Sequence, residues 1–168
     1  MKRTHWLTWL SLGLWLFTVL YVGYFFIFGT TTKNTVDKRI AVVLSPGERE
    51  FVLDEMRSLL KGLRDIMEGL SKDNMKDVSK ALSNMGMKMA ADDSPVLLGK
   101  LPIGLKTMGM GLHRKMDVLS AQLSQKKLSK KQLLTELTTS LNTCITCHAT
   151  YKIVTGGGSS KKYKRTKK

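Results

Sequence analysis

The chain has 168 residues, a length that fits one domain plus appendages, and its 42% hydrophobic content excludes wholesale disorder. Three prolines and 14 glycines exclude a collagen-like or proline-rich chain, and two cysteines are too few for a disulfide-stapled mini-domain. Lys and Arg number 28 against 13 Asp and Glu, a formal charge of +15, so where that charge sits decides whether nucleic acid is a sensible partner.

No charged residue occurs from Trp6 to Phe28. As a helix this run spans roughly 35 Å, enough for a bilayer core with some tilt. Trp6, Trp9, Trp15, Tyr21, Tyr24 and Phe28 are among its aromatics, and Trp and Tyr near the ends suit headgroup depth. A removable signal would carry a shorter apolar region and a small-x-small site, which Phe26-Ile27-Phe28-Gly29-Thr30 does not supply. Residues 1–29 therefore read as an uncleaved membrane anchor, with His5 in the headgroup zone. Lys2 and Arg3 precede the span and Lys33, Lys38 and Arg39 follow it, so the flanking charge hardly orients it. Residues 30–44 read as a tether containing a short apolar patch, Ile40 to Leu44, with no assignable role.

Four amphipathic helices are predicted between residues 45 and 151. The first opens on a capping box, Ser45-Pro46-Gly47-Glu48, and carries Val52, Met56, Leu59, Leu63, Ile66 and Leu70 on one stripe. The second covers about 73–91, with Met75, Val78, Leu82, Met85 and Met89 on one face, and ends at Asp92-Asp93-Ser94-Pro95. The third covers about 103–125, with Leu105, Met108, Leu112, Met116, Leu119 and Leu123. The fourth opens on a second capping box, Ser129-Lys130-Lys131-Gln132, and carries Leu133, Leu137, Leu141, Ile145 and His148 at i, i+4 spacing. No stretch alternates with period two, so no sheet is predicted. The expected fold class is all-α, an antiparallel four-helix bundle over residues 45–152. The ten methionines read first as adaptable core filler.

Both cysteines fall in Cys144-Ile145-Thr146-Cys147-His148. This is the spacing of covalent c-type haem attachment. Two thiols three apart on a helix can each form a thioether with a haem vinyl group, and the adjoining His148 reaches the iron. A redox dithiol is the first alternative, but it belongs at a helix start in a βαβ setting. Zinc is the second, and needs a fourth ligand such as His113. Haem c, one per chain, is the cofactor the motif favours. Haem attachment outside the cytoplasm of bacteria would orient the anchor N-terminus in, with the domain facing the periplasm.

The motif lies in the last helix, and no Met or His follows it. Cys147-His148-Ala149-Thr150-Tyr151-Lys152 is similar to the Cys-His-x-x-Tyr-Arg ending of the class II cytochromes c, the cytochrome c-prime family, with Lys152 in the Arg position. The resemblance covers about residues 47–152. It implies that Cys144, Cys147, His148 and Tyr151 surround the haem and that the first bundle helix covers its other face. Low-spin members place a Met of that helix on the iron, and Met56 resembles it; His113 is the second candidate. His/Met ligation raises the reduction potential and suits electron transfer. An open sixth position would instead imply a gas-binding protein for NO or CO. Members commonly pair through their first two helices, so a homodimer is also expected.

Gly156-Gly157-Gly158-Ser159-Ser160 reads as a flexible linker to Lys161-Lys162-Tyr163-Lys164-Arg165-Thr166-Lys167-Lys168, with six basic residues in eight. Residues 153–168 are thus expected to form a basic tail. Without the tail, Lys2 and Arg3, the chain has 20 basic and 13 acidic residues, a net +7. That body favours acidic redox partners rather than nucleic acid. The expected function is a membrane-tethered monohaem electron carrier, not an enzyme.

Overall fold

The computed structural model describes residues 2–32, 37–91 and 94–156, and side chains 2–5 and 32 are not among those described. The basic stretch 161–168 and the Asp92-Asp93 helix stop lie outside the described residues. In chain order the elements are α1 (Lys2–Phe28), β1 (Thr31–Thr32), β2 (Ile40–Leu44), α2 (Pro46–Ser71), α3 (Met75–Asn84), α4 (Met87–Ala90), α5 (Pro95–Lys100), α6 (Ile103–Ser124), α7 (Lys130–Thr150) and β3 (Tyr151–Thr155).

Both capping boxes form. Ser45 accepts the Glu48 N–H while the Glu48 carboxylate accepts the Ser45 N–H, and Ser129 and Gln132 repeat the pattern at α7. Glu48 is buried, which alone would raise its pKa. The Lys100 ammonium at 2.7 Å and the Ser45 donors outweigh that and hold it below the ordinary range. That ion pair also fastens α5 to α2.

The helical part has one main apolar core. Ile66 of α2, Val78 and Leu82 of α3, Met116 and Leu119 of α6, and Leu133 and Leu137 of α7 are all buried in it. A β-carbon on Gly69 would meet Val78 and one on Gly62 would meet Met85, so α2 and α3 run antiparallel with backbones in close approach. Ser79 bonds Ser124 across the interface while Met87, nearer the other end, donates to Asp117, so α3 and α6 also run antiparallel.

The expected second helix is interrupted. It stops at Asn84, turns at Met85 and Gly86, and resumes as the single turn α4. Gly86 is extended, and the Asp117 carboxylate of α6 accepts the Met87 N–H at 2.9 Å in place of an intrahelical partner. The break also turns the Met85 carbonyl towards His113.

The expectation of no sheet is corrected. A three-stranded sheet in the order β1-β2-β3 closes the end of the helical domain, β2 pairing antiparallel with β1 and parallel with β3. Ile40–Leu44, the apolar patch of the supposed tether, is its central strand. Ala41, Val42 and Leu44 are buried, and Val42, Leu44, Phe51 and Leu97 make a second core beneath it. A strand paired on both edges and covered by helices reads as a continuous apolar run, so its period is invisible. Residues 153–155, assigned to the tail, belong to β3.

The helix α1 is long and apolar enough over Trp6–Phe28 to cross a membrane, and none of that segment is buried against protein. Its far end is latched rather than loosely tethered. Gly29 takes a left-handed conformation (φ 61°) and donates to Phe25, while Thr30 donates to the Lys100 carbonyl and accepts from Val43. Lys106 donates to the Phe26 carbonyl at 2.9 Å and stands 3.9 Å above the Phe26 ring. A β-carbon on Gly29 would clash with the Lys100 carbonyl oxygen. Gly29→Ala adds that clash to a left-handed penalty of roughly 1–2 kcal/mol. The expected result is a melting temperature lower by about 4–8 °C for the full chain in detergent, and an unchanged melt would contradict the latch.

Candidate functional site

The motif occupies the last turns of α7, the helix held by Leu133 and Leu137 in the main core. Cys144 and Cys147 are half-buried free thiols, and His148 is exposed. Burial pushes both thiols up, and for Cys147 the neighbouring Cys144 adds to the effect. A redox dithiol gains reactivity from a lowered pKa at a helix N-terminus. Here the pair sits at the negative end of the helix dipole and stays protonated near neutral pH.

Two adjoining clefts open beside the motif, sharing Leu53, Met56 and His148 as walls. The larger, about 450 Å³, is lined by residues of α2 and α7 and by Leu112 and Met116 of α6, with Cys144 among them. Its volume is in the range of small-molecule and cofactor sites. Leu60, on the same cleft, remains 68% exposed, a large apolar side chain with nothing covering it. The smaller cleft, about 240 Å³, holds Cys147, Tyr151, Lys152 and Arg39.

The structure therefore gathers Met56, Cys144, Cys147, His148 and Tyr151 around two adjoining clefts. Met56 comes from the middle of α2 and borders both clefts that His148 borders. Tyr151 ends α7 and begins β3, and a β-carbon on Gly104 of α6 would come within 2.5 Å of its hydroxyl, so a glycine admits the ring there. Burial raises the Tyr151 pKa, with Cys147 contributing.

His113, the second candidate for the iron, does not lie at the surface. It is buried, and its Nδ1 lies 2.7 Å from the Met85 carbonyl oxygen. A carbonyl only accepts, so Nδ1 donates its proton in this bond. His113 borders a third, smaller cavity with Met56, apart from Cys144, Cys147 and His148. Among the described residues no three His, Cys, Asp or Glu side chains converge on a point that could hold a metal ion. A zinc site completed by His113 finds no support in that arrangement.

Sequence reasoning missed the charged group at the mouth of the smaller cleft. Ile40 pairs in register with Tyr151, which brings Arg39 beside the end of α7. Arg39 Nη1 lies 3.4 Å from the His148 carbonyl oxygen, one of the helix-end acceptors without an intrahelical donor. Asp37 accepts from Arg39 Nη2 at 2.7 Å and pairs with Lys152 Nζ at 3.2 Å. The Arg39 side-chain and backbone donors, with Lys152 after them, hold the Asp37 carboxyl well below the usual carboxylate range despite some desolvation. The available signal was β-propensity: Ile-Ala-Val-Val-Leu and Tyr-Lys-Ile-Val-Thr are both rich in β-branched or aromatic residues. Compared with family models, curated proteins and solved structures, the chain matches none.

Proposed function

We propose that this chain is a membrane-anchored monohaem cytochrome of the class II type, an antiparallel four-helix bundle that carries single electrons on the periplasmic face of a bacterial inner membrane. The observation that carries the reading is the placement of Cys144 and His148 in the lining of an apolar cleft that also contains Met56, with Cys147 in the adjoining cleft that shares Met56 and His148. The residues fit a porphyrin: the space is apolar, the thiols are uncommitted, and an imidazole and a thioether border the same clefts. Each thiol would add across a vinyl group, sulfur to one carbon and hydrogen to the other, with no oxidant consumed. Haem, when bound, supplies a one-electron iron couple.

The chain's own residues do the remainder. His148 offers one ligand and Met56 the other, and a Met ligand favours the reduced iron and a high potential. Leu53, Leu112 and Met116 keep water from the bound group. Helix α1 confines the domain to the bilayer surface, and the basic body attracts acidic partners in weak, salt-sensitive encounters.

A visible spectrum of the purified full chain, with and without CO, tests this reading. Sharp α and β bands in the reduced protein that ignore CO are expected. A broad high-spin Soret band that shifts with CO would identify a gas-binding protein instead, and a colourless protein would remove haem altogether.

A further inference from the structure

A groove of about 900 Å³ is lined by α3, by the end of α6 and by the turn from α6 into α7. Lys76, Lys80, Lys126 and Lys130 line it, all of them exposed, and no carboxylate does. Met75, Leu123 and Leu128, which belong to the main core or pack on it, line it as well. The Ser79 hydroxyl bonds those of Ser120 and Ser124 at 3.1 and 2.9 Å, which joins α3 to α6 along the groove. The nearby acidic side chains are sorted elsewhere. Asp65, Glu68 and Asp77 line a separate groove, which Lys80 also borders. Asp73, in the turn between α2 and α3, pairs with Lys130 at 2.5 Å. Lys76, Lys80 and Lys126 have no ion pair among the described residues. Lys126 also takes a left-handed conformation (φ 57°), so the turn sets a lysine where glycine would be the easier residue.

We propose that this groove is a docking site for an acidic, extended polypeptide segment of a partner protein. Its carboxylates meet the lysines and its apolar side chains meet Met75, Leu123 and Leu128. Four ammonium groups against the one carboxylate of Asp73 leave a net +3 there. Nucleic acid fits less well. The lining holds no aromatic ring on which a base could stack and no arginine to grip a phosphate with two bonds. The chain's own end, Lys161 to Lys168, is basic and so is not the occupant. Position narrows the partner further. Lys106, which is latched to α1, and Ser124 stand roughly 27 Å apart along α6, and Lys130 and His148 are as far apart along α7. The groove therefore lies at the end of the helical domain remote from both the α1 latch and the thiols, which favours a partner in solution over the lipid around α1. The inference goes beyond the electron-carrier reading and does not rest on it. A segment seated here is held by its own contacts, apart from the cleft where electrons would cross.

The test uses the full chain in a neutral detergent and a fluorescein-labelled peptide of alternating glutamate and leucine, with the same peptide carrying glutamine for glutamate as its control. Fluorescence anisotropy reads the affinity. The acidic peptide is expected to bind in a salt-sensitive way and the glutamine peptide to stay free. Lys76→Gln with Lys80→Gln should weaken binding about tenfold. Lys61→Gln with Lys88→Gln removes the same charge from exposed positions outside the groove and should change binding less than about twofold. Lys126→Gly keeps the turn, because glycine accepts the left-handed conformation, and should weaken binding about threefold with no fall in melting temperature. Equal losses in the two double variants would reduce the effect to overall charge and overturn the site, as would an acidic peptide that does not bind. A mixed-sequence single-stranded oligonucleotide that binds more tightly than the peptide, and is released by Lys76→Gln with Lys80→Gln, would give the groove to nucleic acid and overturn the proposal. None of these readouts depends on colour. A haem-free chain that binds the peptide keeps the docking site and loses the haem reading, and a haem-loaded chain that ignores the peptide does the reverse.

Discussion

The double variant Cys144→Ser, Cys147→Ser is expected to emerge with the mass of its amino acids alone. The unaltered chain should weigh more by one haem and keep its colour through denaturation. The contrast follows from the bond type. A porphyrin held only by an axial His and apolar contacts is retained by mass action and leaves when the cleft opens. Thioethers to α7 remove that escape route, which matters at a site as open as this one, where His148 is exposed. The substitutions should spare the fold. Neither cysteine belongs to the buried core of Ile66, Leu82, Met116 and Leu133, and serine is close in volume. Far-ultraviolet circular dichroism should therefore remain helical while the haem stain on a denaturing gel disappears. Cys147→Ser alone should also fail to give stable holoprotein. Normal covalent haem in the double variant would falsify attachment through these sulfurs.

The legible and illegible parts of this molecule divide on physical lines. Helices α2, α6 and α7 were readable because a solvent-facing helix has a stripe, and Ser45–Glu48 and Ser129–Gln132 mark the starts of α2 and α7. The Cys144–His148 spacing was readable because its chemistry is local in the chain. The sheet was not, since the buried central strand Ile40–Leu44 has no polar face to give a period, and its partner β3 lies more than a hundred residues away. The break after Asn84 was hidden for a related reason. It depends on Asp117, which accepts the Met87 N–H from another helix, and no local pattern encodes that. Arg39 shared the same fate: only the long-range register makes it a neighbour of His148.

These non-local features tie the site to the apolar helix. Leu105 borders the smaller cleft beside His148, and the next residue, Lys106, bonds the Phe26 carbonyl in the last turn of α1. Burial lowers the Lys106 pKa, in keeping with an ammonium held against protein rather than free in solvent. The candidate haem cleft therefore lies close to where α1 meets the domain, not at the end of a swinging tether. Under the proposed function, with α1 in a bilayer, electrons would be exchanged near the membrane surface, and partners in the same bilayer would meet the cleft there.

Replacing Met56 by alanine is expected to convert a low-spin spectrum to a high-spin one. The charge-transfer band of a Met–iron bond should vanish, CO should bind the reduced protein, and the potential should fall by on the order of 100 mV. That drop is a fraction of the roughly 0.8 V over which axial ligands move haem potentials. The size follows from chemistry: a thioether is a soft ligand that favours ferrous iron, and an open or water-bound position does not. Met56 is the candidate because it borders both clefts that His148 borders, from the helix opposite. His113 has a weaker claim. Its Nδ1 is committed to Met85, and it borders the third cavity, with Met56, rather than either cleft that holds the thiols. The two assignments separate cleanly. Met56→His should restore a low-spin spectrum at a lower potential, as an imidazole replaces the sulfur. If Met56→Ala stays low-spin and His113→Ala then makes it high-spin, the sixth ligand is His113. A spectrum unchanged in Met56→Ala and in His113→Ala would exclude both residues from the iron.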